Sequence, residues 1–100
     1  MNVISKRVAF LVALAECPKP SAAREVGELV EKEHHIQTLP AERNAIMNSL
    51  VAEDLAFYRK PRKREKVAAQ QRFVFGLTPR GRLAVREAVD HARVLAKVAA

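Results

Sequence analysis

Seven cationic side chains crowd into fourteen residues of this chain: Arg59, Lys60, Arg62, Lys63, Arg64, Lys66 and Arg72, with Glu65 as the only acid among them. The stretch carries +6 of the formal net charge of +7 and leaves +1 for the remaining 86 residues, so the excess is a local patch. Such a patch suits a polyanion, because each phosphate neutralised by Lys or Arg releases condensed counterions and drives binding without regard to sequence. The plain alternative is a solvated basic loop. A second set of polar residues precedes the patch. Between Pro40 and Glu53, with Ile46 and Leu50 facing inward, Arg43, Asn44, Met47 and Asn48 fall toward the open side of a helix. Arg and Asn are the side chains that match guanine and adenine edges. An ordinary polar helix face would also carry them.

Other chemistries find little support. His34, His35, His91 and Cys17 match no zinc-ligand spacing, and adjacent histidines point in different directions. The three glycines, Gly27, Gly76 and Gly81, form no phosphate-cradling loop, and neither a nucleophile elbow nor a paired-carboxylate arrangement stands out. The sequence therefore implies a binding protein without metal or cofactor, and not an enzyme.

The elements that must hold these residues follow from length and periodicity. One hundred residues, 49% hydrophobic and 29% charged, suffice for one packed domain, residues 1–100, and not for two. Cys17 stands alone, so no intrachain disulfide can form. No run approaches the roughly 18 apolar residues of a membrane span. Lys6 and Arg7 ahead of the apolar run from Val8 to Ala15 have a faint secretory character, but the run is short and Glu16 before Cys17 suits no lipoprotein cleavage box. A cytoplasmic location is the expectation.

Prolines at 18, 20, 40, 61 and 79 fall where the apolar period changes or stops. Val3 to Glu16 reads as a helix that is apolar almost all round, which asks for burial on several sides. Ser21 is placed to cap a second helix with Ala22, Val26, Leu29 and Val30 inward, and Ile36 to Thr38 suits a turn or one bridging strand. Pro40 opens a third helix. From Leu55 the period changes to two: Leu55 and Phe57, then Phe73, Phe75 and Leu77, imply two strands whose phenylalanines 57, 73 and 75 share a core face. The basic patch then lies at a hairpin tip. Thr78-Pro79 supplies a cap and a first-turn proline for a last helix running to the C-terminus.

This order, α-α-α-β-β-α, with Leu77, Thr78 and Gly81 forming a Leu-Thr-x-x-Gly segment at the second strand's exit, resembles the winged helix-turn-helix regulators of the broad MarR and PadR type. The resemblance covers roughly residues 20 to 88. It implies a mainly α fold with a small β-hairpin (α+β), a recognition helix at residues 40–53 and a wing at residues 59–72. Residues 53 to 55 read Glu-Asp-Leu where many relatives have a glycine before the first wing strand. Double-stranded DNA is the implied partner: Arg43, Asn44, Met47 and Asn48 at base edges, and Arg59, Lys60, Arg62, Lys63, Arg64, Lys66 and Arg72 along the backbone.

Two helices, residues 1–16 and 83–100, are candidates for dimerisation. Val85, Ala88, Ala92, Leu95 and Ala99 recur at alternating spacings of 3 and 4 along the last helix, and Phe10 and Leu14 line a stripe on the first. The leading expectation is a homodimeric transcription regulator that represses by occupying promoters. The competing one is a winged-helix interaction module, a small adaptor or phage-encoded inhibitor, whose basic hairpin docks on an acidic protein surface or in a nucleic-acid channel.

Overall fold

The computed structural model describes residues 5–62 and 73–99, with side chains as far as residue 91. Four helices and one hairpin follow in order: α1 (Lys6–Glu16), α2 (Ala23–His34), α3 (Pro40–Ala52), β1 (Ala56–Arg59), β2 (Val74–Leu77) and α4 (Pro79–Ala99). This is the α-α-α-β-β-α order that the periodicities imply.

Ser5 sets the start of α1 by accepting a hydrogen bond from the Val8 amide at 3.1 Å. The helix then packs against α2, α3, α4 and β2. Much of its apolar surface is thereby covered within one chain: Ala9, Phe10, Leu11, Ala13 and Leu14 are buried, Val8 and Val12 are half-buried, and Ala15 is exposed. Phe10 is wholly enclosed and Leu14 nearly so, which corrects their expected place at a dimer interface: a central helix needs no second subunit to cover them. Phe10, Val26, Val30, Met47 and Leu50 form the fully buried centre of the core.

Ser21 does not cap α2. The cap position is Ala22, without a side-chain hydrogen bond. Ser21 pairs its backbone with Phe75 in both directions, at 3.0 and 2.8 Å, and its hydroxyl donates to the Lys19 carbonyl. The bridging segment thus comes before α2, and residues 36–38 are irregular. Its backbone is better satisfied there, because β2 offers an unpaired edge that a lone cap cannot match.

The hairpin is antiparallel, with Ala56 opposite Leu77, Phe57 opposite Gly76, Tyr58 opposite Phe75 and Arg59 opposite Val74. Phe57 therefore lies on the face opposite Phe75, against the expectation that the two share the core side. Its ring covers Gly76, where an added methyl would stand 2.6 Å from the ring. Tyr58 shares the side of Phe75 and meets Phe73 edge to face, with ring centroids 5.3 Å apart. The shift by one residue begins at the turn after α3. Asp54 adopts a left-handed conformation, φ 60°, which glycine takes up most readily.

That turn also explains the Leu-Thr-x-x-Gly segment. Thr78 donates its hydroxyl to the Asp54 carbonyl and accepts at 3.0 Å from the Gly81 amide, so one side chain fastens the turn and caps α4. The Thr78 amide donates to the Leu55 carbonyl at 3.2 Å. Gly81 lies directly over that carbonyl, leaving no room for a side chain.

A candidate nucleic-acid interface on helix three and the hairpin

Helices α2 and α3 meet through a short link whose first residue, His35, is left-handed (φ 56°) and closes α2 with its amide on the Glu31 carbonyl. Pro40 occupies the first position of α3, where its missing amide hydrogen costs nothing. The core then selects the face of α3 that turns inward. Met47 and Leu50 are fully buried, and Ile46 and Val51 pack partly against them.

Met47 was expected on the open side and is instead at the centre of the core, which withdraws it from any base contact. Ile46, Met47, Leu50 and Val51 spread over a wide arc of the helix, which packs against α1, α2 and β1. Arg43 follows Met47 inward by one turn. Its aliphatic stem lies on the bare backbone of Gly27, and its guanidinium donates to the Thr38 carbonyl at 3.1 Å. It locks the α2–α3 junction. Asn44 and Asn48 are exposed as expected, and so are Ala41 and Ala45, which sequence reasoning passed over. Their helical spacing to Asn48 could have revealed them, but alanine carries no chemical signal of its own.

Glu42 on this helix and Glu53 just after it are both tied back to α1. Lys6 donates to Glu42 at 2.8 Å, and Arg7 pairs with Glu53. Exposed pairs of this kind add little stability, yet they neutralise carboxylates that would otherwise face an approaching phosphate. On the hairpin, Arg59 is half-buried and donates to the Lys60 carbonyl at 3.1 Å, while Lys60 and Arg62 are exposed. Lys63, Arg64, Lys66 and Arg72 lie outside the described residues. On α4, Val85 and Ala88 are half-buried. Ala92, Leu95 and Ala99 fall beyond the described side chains.

Among the described residues no three of His, Cys, Asp and Glu come together as a metal site, and no helix is long and apolar enough to cross a membrane. Among the described residues one carboxyl departs clearly from its ordinary behaviour. A hydrogen bond with Glu33, then partial burial and the like charge of Glu33, raise Glu16 above its usual 4.5. These two groups close α1 and α2, away from the outward face of α3.

The architecture is a winged helix-turn-helix. Structural comparison finds the same fold in a PadR family transcription regulator from hypervirulent Clostridium difficile R20291, with a TM-score of 0.73 at 13% identity, over 91% of this chain and 92% of that one. A PadR-like transcription factor from Bacteroides fragilis matches at 0.68 and 17% identity, over 92% and 85% of the two chains. RV1404 from Mycobacterium tuberculosis matches at 0.70 and 21% identity over 98% of this chain, which spans 59% of that protein's length. No protein-family model and no curated protein sequence matches the chain. The shared fold is that of PadR-like winged-helix proteins.

Proposed function

We propose that this chain is a DNA-binding transcription regulator that works as a homodimer and represses by occupying promoters in the cytoplasm. The observation that supports it best is the pairing of an outward, uncharged face on α3 with a hairpin bearing a local excess of six positive charges. An α-helix fits the major groove, and a flanking basic loop reaches the backbone beside it. In this reading Asn44 and Asn48 face base edges. Arg59, Lys60, Arg62, Lys63, Arg64, Lys66 and Arg72 serve phosphates, which position the protein without specifying a sequence. Arg43 holds the α2–α3 junction that aims the helix. The dimer joins through α4, with Val85 and Ala88 beginning a stripe that Ala92, Leu95 and Ala99 continue in sequence. The likeness to structures described as transcription regulators supports the same reading. It is a binding role and not a catalytic one.

The test is a titration of duplex DNA of random sequence at several salt concentrations, with and without Lys63→Ala and Arg64→Ala. The parent protein should bind, with a log-log salt slope that falls by about 0.9 for each phosphate contact the variant loses. Folding should be unchanged. If the parent protein binds no duplex at about 50 mM salt, where counterion release is strongly favoured, the regulator reading fails and a protein-docking hairpin replaces it.

A further inference from the structure

Resting on that reading, we propose that the first turns of α3 select A·T base pairs in the major groove, through Asn44 and Asn48 on adenine and Ala41 and Ala45 on thymine. What α3 can read is limited to the side chains that reach the groove. Guanine is read most often by Arg or Lys on O6 and N7, and cytosine by a carboxylate accepting from N4. On α3 neither type is available at the outward face. Arg43, the helix's sole cation, is half-buried, with its stem on Gly27 and its guanidinium on the Thr38 carbonyl. Glu42 is half-buried and held by Lys6. Glu53 is bonded to Arg7 beyond the helix's last turn.

What remains exposed over the first turns, after Pro40 at the helix start, is Ala41, Asn44, Ala45 and Asn48. A carboxamide presents a donor and an acceptor side by side, the complement of adenine N7 and N6. Asn44 and Asn48 are four residues apart, so they stand on one side of the helix about 6 Å apart along its axis. That separation is close to two base-pair steps of about 3.4 Å. Both amides can therefore engage one half-site. Ala41 and Ala45 share their own stripe beside the amides. Their methyl groups match the thymine C5 methyl, and their small size lets the helix backbone sit deep in the groove. Leu39, 74% exposed at the cap of α3, adds another apolar group where a phosphate-binding helix end would carry a polar one.

The experiment selects binding sites from a randomised duplex library with the full chain, then measures the selected site by fluorescence anisotropy at one fixed salt concentration. A·T pairs should dominate the selected half-site. Asn44→Ala and Asn48→Ala should each lose on the order of 5- to 100-fold affinity there and little on random duplex. Replacing selected adenines by 7-deazaadenine should reproduce that loss in the parent protein and add little in the double variant. Replacing thymine by uracil should weaken the parent protein. A G·C-rich half-site overturns the proposal and leaves DNA binding intact. So does an A·T preference that survives in the double variant and ignores both base analogues, since that is readout through the minor groove or DNA shape. Failure to bind any duplex removes the underlying reading, and the proposal with it.

Discussion

Gly81→Ala offers the sharpest check on how the wing is joined to the last helix. Gly81 is the third residue of α4, and alanine is the better helix former by up to about 1 kcal/mol. Propensity alone forecasts a stabilised protein. The structure forecasts the reverse. A methyl built on Gly81 would stand 1.9 Å from the Leu55 carbonyl oxygen and 2.9 Å from its carbon, whereas ordinary contact begins at 3.4 Å. Helix and turn must then part by about 1.5 Å, and the obstacle is backbone, which has no rotamer to change. That displacement pulls apart the Thr78 amide to Leu55 carbonyl bond and the Thr78 hydroxyl to Asp54 carbonyl bond. Each such bond contributes about 1 kcal/mol, and overpacking adds about 1–3 kcal/mol. After the gain in propensity the net loss should be about 2–4 kcal/mol, a large part of the 5–15 kcal/mol that holds a small domain. Urea unfolding followed by circular dichroism reads this as a lower midpoint with an unchanged slope. Gly27→Ala is the matched control. Its methyl meets the Arg43 stem and not backbone, so relief forfeits the Arg43–Thr38 contact while helix propensity gains, and the midpoint should fall by less than for Gly81→Ala. Gly81→Ala at parental stability would refute the reasoning.

Two further outcomes follow from the described geometry. Because Glu16 holds its proton more tightly in the folded chain, its stabilising contribution is complete below the usual carboxylate pKa and is lost as pH rises through the raised value. Glu33→Gln removes the like charge, so thermal melts should show the variant more stable than the parent at pH 7, with the difference closing as pH falls below about 3, under the ordinary carboxylate range. The gain will be small because both groups are largely solvated. Truncation before Asp90 removes Ala92, Leu95 and Ala99, and light scattering should then report monomer in place of dimer. An untruncated 100-residue chain that is monomeric at micromolar concentration sinks the dimer.

Much of the fold was readable along the chain. Apolar spacing of 3 and 4 placed the helices, the change to a period of two at Leu55 placed the hairpin, and Pro40 and Thr78-Pro79 marked where α3 and α4 begin. These are local properties, determined by the pleat, the helical pitch and the hydrogen-bonding habits of a few residues. The basic charge between the strands was equally plain. The sequence could not decide the phase of each element, because phase is chosen by what packs against it. Ile46, Met47, Leu50 and Val51 allow several inward directions, and packing against α1, α2 and β1 turned Met47 and Arg43 inward and left Ala41 and Ala45 outside. In β1, the left-handed turn at Asp54 and the pairing with Gly76 put Phe57 on the far face. An all-round apolar α1 suggested a second subunit for Phe10 and Leu14, yet its own chain surrounds it. Periodicity reports that a face is buried; only the assembled core determines which neighbour buries it and which side chains remain to meet a partner.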